Sequence, residues 1–334
     1  MRTSQFTPAE IPGGEFYHRL GRTRHYRWWT LPLTLLAFVV LLFFLGVGIA
    51  LATTLVSVLG GNSLISDSPL SEIGQLAFGL LSVALLAPIV LFLVRVVQWR
   101  RTGTLLSVEG RVRWRWLGLC TALAIPPAAV CAAAFLLLAE LLRPELVPNE
   151  DAGGKVVFAA VMAVVLLLVP FQTAAEEITT RGLFMQMVGA LGPRPGEPGG
   201  DGAAARVLRS PFTAVTASGV LFAAVYAATH PGDLWTTASL AVFGLAMSWL
   251  TWYTGGLEAA IGLHMVAGLI QFTLCAFEGR TAEIGTGAVV GAGLPLGSGT
   301  PLVLLLTFAQ TALYAIAVLW AARRRNVRRV SARS

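Results

Sequence analysis

The chain has 334 residues, 56% of them hydrophobic and only 12% charged, with a formal net charge of +7. A mean hydropathy of +0.74 excludes an ordinary water-soluble domain. No basic domain stands apart to grip nucleic acid, so the positive surplus reads as a topology signal and as attraction to membrane lipid.

Residues 1–27 are polar and contain Arg19, Arg22, Arg24 and Arg27; His18 and His25 in the same stretch are taken as surface groups. The apolar run that follows, centred near Phe43, is too long for a signal-peptide core and is expected to be a retained helix. Further runs centre near Leu85, Ala129, Leu167, Phe222, Phe243, Ile270 and Ala312. A helix needs about 20 predominantly apolar residues to cross a hydrocarbon core about 30 Å thick. The runs are unbroken and lack the period-two alternation of barrel strands. The expected fold is therefore all-α, a polytopic membrane bundle of about eight transmembrane helices.

Arginine placement orients that bundle. Arg19 to Arg27, Arg95 to Arg115, Arg194 to Arg209 and Arg323 to Arg333 share one side of an eight-span chain, which predicts both termini in the cytoplasm of a cell-membrane protein. By chemistry the chain divides into a cytoplasmic segment 1–27, accessory helices over 28–142, a polar core over 155–278, and a last helix with a basic tail over 300–334. Pro126-Pro127 predicts a kink in the third span. Trp28, Trp29, Trp99, Trp114 and Trp116 accompany arginines at span ends and read as an interfacial belt. Cys120, Cys131 and Cys275 lie in apolar runs without a CxxC pair and read as buried thiols. Glu258 reads as an interfacial acid at the mouth of the seventh helix.

Charges inside apolar runs are costly, which directs attention to Glu176, Glu177 and Arg181 in the fourth span. Glu177 and Arg181 are four residues apart, the spacing of an ion pair on one helix face, while Glu176 is rotated by about 100°. One carboxylate is then neutralised and the other is free to act as a general base. Two histidines follow in later runs, in Tyr226-Ala-Ala-Thr-His230 and His264-Met-Val-Ala-Gly268. Glutamate with two histidines also matches a catalytic zinc ligand set, Glu176, His230 and His264, although HExxH is absent; metal-free chemistry is the first expectation and zinc the alternative.

In this order the motifs resemble those of the CPBP (ABI) intramembrane proteases, relatives of the type II CAAX prenyl endopeptidases. The family pattern EExxxR, FxxxH, HxxxN or HxxxD reads here as Glu176-Glu177-x-x-x-Arg181, Tyr226-x-x-x-His230 and His264-x-x-x-Gly268, over about residues 155 to 278. The resemblance implies a catalytic set of Glu176, Glu177, Arg181, His230 and His264. Glu176 would activate water with help from His230, Glu177 and Arg181 would hold the geometry, and His264 would support the oxyanion. It implies no cofactor and a peptide or membrane-protein substrate.

Gly268 departs from the pattern, since glycine offers no side-chain donor at the position the family uses to help bind the oxyanion. Gln271, seven residues beyond His264 and about 10 Å along the axis, is a poor direct replacement, and Gln172, one turn before Glu176, is another polar candidate. The departure keeps a second expectation open, a weak or inactive family relative acting in peptide immunity, secretion or partner binding. A proton-coupled transporter also fits the charges, but the chain shows no internal repeat.

Overall fold

The computed structural model describes residues 13–60, 69–142, 155–229, 233–277 and 300–332. Most of these residues are helical, with isolated antiparallel bridges between Phe16 and Val330 and between Ser107 and Gly256. The helices are α1 (Thr30–Gly60), α2 (Pro69–Ala84), α3 (Leu86–Val96), α4 (Trp114–Leu142), α5 (Lys155–Glu177), α6 (Met185–Ala190), α7 (Ala203–Leu208), α8 (Pro211–Thr229), α9 (Leu234–Thr254), α10 (Glu258–Phe277) and α11 (Pro301–Arg324). A π-helical stretch, Ile178–Phe184, joins α5 to α6, and short 3-10 turns cover Tyr17–Arg19 and Thr102–Leu105.

This is a multi-pass membrane protein. Among the described residues six helical spans are long and apolar enough to cross a bilayer: Thr30–Leu55, Ile73–Val96, Trp114–Leu138, Val157–Ala190, Leu234–Thr254 and Pro301–Arg324. The runs around Phe222 and Ile270 form shorter apolar helices, Pro211–Val225 and Glu258–Leu274. The run around Leu85 is broken at its centre into α2 and α3. Pro88 explains the break, because its ring lacks an N–H and clashes with the carbonyl four residues back, that of Ala84.

Packing follows a ring of neighbours. α5 lies between α2 and α10, α10 packs on α4, α4 on α11, α11 on α9, and α9 on α8. Phe243, Met247, Leu263 and Tyr314 fill the centre where α4, α9, α10 and α11 meet, and Leu76, Val165, Val169 and Phe272 fill the α2–α5–α10 seam. Gly219 and Gly244 let α8 and α9 approach closely, since a Cβ on either would collide with the facing backbone. α1 stands at the edge against α3, and Leu36, Phe43 and Leu51 on it point outward as expected of a lipid-facing surface.

The amino-terminal segment and the carboxyl tail meet on one face, where the Glu15 N–H donates to Ser331 Oγ at 3.0 Å. Three expectations fail at this face. His18 is buried, not superficial: Tyr17 and Leu20 sink into the core, and His18 Nε2 donates to the Arg209 carbonyl at 3.1 Å. Trp116 is 6% exposed and packs in the core, unlike Trp114 at 73%, because two residues along a helix turn a side chain by about 200°. Glu258 does start α10, but it is buried and held by an arginine from α4's approach, Arg113. Cys120 and Cys131 are buried free thiols.

Candidate active site

The site grows from the end of α5. Thr179 and Thr180 turn their hydroxyls back onto the carbonyls of Ala175 and Glu176, each at 2.7 Å. Such back-bonding competes with the helical ladder, and the backbone loosens into the π-helical stretch immediately after Glu177. π-bulges of this kind recur at functional sites.

Glu177 and Arg181 lie on either side of that loosening and are both fully buried. Glu177 Oε1 accepts from Arg181 Nη1 at 3.0 Å and from His264 Nδ1 at 2.8 Å. The guanidinium is fixed by four more contacts. It donates to Thr180 Oγ1 at 3.0 Å, to Ser248 Oγ at 3.4 Å and to the Gly244 carbonyl at 3.4 Å, and lies 4.5 Å above the Phe222 ring. Ser218 ties α8 into the same knot through the Thr180 carbonyl at 2.9 Å and Ser248 Oγ at 3.2 Å.

His264 comes from α10, six residues and about 9 Å along the axis from its start. Its ring is clamped edge-on between Phe222 and Phe243, with centroids 5.6 and 5.5 Å away. While Nδ1 engages Glu177, Nε2 faces Glu176 Oε2 at 3.3 Å. One imidazole thus bridges both carboxylates. Glu176 also lines an apolar cavity of about 360 Å³ bounded by Leu35 and Phe38 of α1, Leu86 of α3, Leu183, and Phe222 of α8.

Four of the five expected site residues therefore converge: Glu176, Glu177, Arg181 and His264. The fifth, His230, lies outside the described residues, and so does the side chain of Tyr226. Gly268 is buried one turn beyond His264, and a Cβ there would stand 3.4 Å from Val169 and 4.0 Å from Phe272, an apolar setting with room for a side chain. Gln172 and Gln271 are both buried. The Gln271 side-chain oxygen has no hydrogen-bond partner among the described residues.

Residues 156–270 match the family model described as Rce1-like, the type II CAAX prenyl endopeptidases. Over that stretch the chain is similar to this family. That stretch holds every converging residue and ends two positions past Gly268. The chain is also similar to the uncharacterized protein YyaK of Bacillus subtilis, with 24% identity over 192 residues, 55% of this chain and 54% of that protein. The chain spans about half the length of the curated relative it matches. No solved structure matches it.

Among the described residues no three His, Cys, Asp or Glu side chains are arranged to hold a metal ion. Glu177 Oε1 and His264 Nδ1 are engaged with each other, which leaves Glu176 and His264 Nε2 as the outward-facing donors of the described set. Sequence reasoning missed Ser218, Ser248 and Phe243. A serine inside an apolar span, as in Met247-Ser248-Trp249, was the available signal.

Proposed function

We propose that the Rce1-like core hydrolyses peptide bonds of a membrane-associated peptide or protein, using water activated by Glu176. The observation that carries this reading is the 3.3 Å approach of Glu176 Oε2 to His264 Nε2 at the wall of an apolar cavity. Two carboxylates, one guanidinium and one imidazole balance in charge when the Glu176–His264 pair holds a single proton. Glu177, neutralised by Arg181, accepts the Nδ1–H of His264, and the proton shared with Glu176 sits on Nε2 when Glu176 is free to act as the base.

In the proposed reaction Glu176 takes a proton from water, and the hydroxide adds to the scissile carbonyl carbon. The resulting oxyanion accepts a hydrogen bond from His264 Nε2–H, with His230 assisting in orienting the water. Collapse breaks the C–N bond, and the leaving amine takes the proton held by Glu176. The apolar cavity admits a substrate segment from the lipid side, past α1. The arginine-rich face that carries both termini is the cytoplasmic one in this reading, and the membrane is the cell membrane.

A second reading rests on Gly268. Its Val169 and Phe272 surroundings supply no polar group, which favours a relative that binds peptides and turns them over slowly or not at all. One experiment separates the two. Purified protein in liposomes is assayed on a membrane-peptide library beside Glu176→Gln, His230→Ala and His264→Ala, with a chelator titration to reveal any dependence on zinc. Each variant is expected to lose about 10²- to 10⁴-fold in turnover while remaining folded. Equal turnover in parent and variants sinks the protease reading, and peptide binding without turnover in the folded parent supports the second.

A further inference from the structure

At the face that carries both termini, the start of α4 and the end of α11 enclose a second cavity, of about 590 Å³. Arg111, Arg113, Arg115, Arg325 and Arg328 line it, against a single lining carboxylate, Glu109. Arg111 pairs with Glu109 at 3.4 Å, and Arg113 is taken by Glu258. Among the described residues Arg115, Arg325 and Arg328 have no carboxylate partner, so the cavity holds three uncompensated guanidinium groups.

Two further features favour an anion. The first turn of α4 opens onto the cavity, and unpaired N–H groups at a helix start carry partial positive charge. Trp116 lines the cavity too, and its buried indole N–H has no acceptor among the described residues. Arg113 Nη1 donates to the carbonyls of Thr254 and Arg328, at 3.1 and 3.2 Å, so the Arg328 carbonyl at the cavity is already engaged. The depth is that of lipid headgroups, because Trp114 begins one membrane span and Arg324 ends another.

We propose that this cavity binds the phosphate group of an anionic lipid headgroup. Guanidinium groups match phosphate oxygens in pairs, and basic pockets between transmembrane helices at the interface hold such headgroups. The site is separate from the Glu176–His264 cavity, and its occupancy does not depend on the chemistry proposed there.

The test uses the full chain in nanodiscs of phosphatidylcholine with added phosphatidylglycerol, with retained lipid read by native mass spectrometry. The parent is expected to retain phosphatidylglycerol over phosphatidylcholine. Arg325→Gln with Arg328→Gln removes two exposed charges without touching a described ion pair, and is expected to weaken that preference about thirtyfold. Trp116→Phe keeps an aromatic side chain but loses the N–H donor together with part of the indole, for a loss of about fivefold. Arg101→Gln with Arg206→Gln, the same charge removed elsewhere, is expected to leave the preference intact. Displacement of the lipid by inorganic phosphate at equal concentration assigns the same site to free phosphate in place of a headgroup. Equal retention by the parent and the Arg325/Arg328 double variant overturns the proposal.

Discussion

Two buried carboxylate–guanidinium pairs among the described residues differ in what they leave open. Glu258 and Arg113 close on each other completely. Glu258 Oε1 accepts from the Arg113 backbone N–H at 3.0 Å and from its Nε at 2.8 Å, while Oε2 accepts Nη2 at 2.6 Å. The Glu177–Arg181 pair is bound through one oxygen only. Among the described residues Glu177 Oε2 has no hydrogen-bond partner, and Glu176 Oε2 has only the 3.3 Å approach of His264 Nε2, which falls short of a hydrogen bond. A fully satisfied pair at the membrane edge is a fastener between the start of α4 and the start of α10. An incompletely satisfied one in the interior, coupled to an imidazole, leaves carboxylate oxygens open, as the proposed chemistry requires.

The contrast is broken most severely by removing one cation at a time. Arg181→Met or Arg113→Met leaves a buried carboxylate uncompensated, and each is expected to cost about 3–5 kcal/mol in thermal unfolding in detergent. The second-site changes then separate the two pairs. Arg113→Met with Glu258→Gln is expected to regain most of that stability and keep turnover, because the glutamine oxygen still accepts the backbone N–H. Arg181→Met with Glu177→Leu is expected to regain stability without turnover, since the His264 ring loses its anchor. Recovery of turnover by the second double variant would erase the distinction between fastener and site.

A smaller effect probes the edge region alone. Burial, with a lesser contribution from the adjacent Arg19, pushes His18 down to about 4, against the upward pull of its bond to the Arg209 carbonyl. With the folded value below the unfolded one of about 6.5, the unfolded chain binds more protons between them. Stability is therefore fully present above about pH 6.5 and falls as pH drops toward 4, by about 3 kcal/mol in all. His18→Gln keeps an N–H donor but cannot titrate, so the difference between parent and variant isolates this contribution. Identical pH profiles over that window would show that His18 does not couple folding to protons.

Much of the membrane architecture was legible because bilayer spans need long apolar runs, and the pairing of Glu177 with Arg181 followed from their spacing. Other features depended on contacts that no local pattern records. Glu258 and Arg113 are 145 positions apart. Trp114 and Trp116 share a basic, aromatic context in sequence and face opposite ways in space. The π-helical loosening came from two threonine hydroxyls competing for carbonyls, a local cause readable only once the helix was known to strain there. The bridging of Glu176 and Glu177 by one imidazole was equally hidden, since a 100° rotation between adjacent residues suggests divergence and the ring of His264 spans it.

The mildest test concerns Gly268, where the open character of the site can be increased instead of destroyed. A Cβ there meets Val169 and Phe272 only at ordinary contact distances, so Gly268→Asn fits without moving backbone. In a helix interior the change also removes glycine's conformational penalty, while an amide set against Val169 gives part of that gain back. Folding stability is therefore expected to shift by less than about 1 kcal/mol. If a donor at this position reaches the oxyanion proposed at His264, turnover is expected to rise about tenfold, below the roughly 10²- to 10³-fold of a fully optimised donor. The increase must vanish when Glu176→Gln is added, because a donor assists only a reaction that the base has started. An increase that survives Glu176→Gln would place the chemistry elsewhere, and no increase in a well-folded Gly268→Asn protein would mean that the turn after His264 does not face the reacting carbonyl.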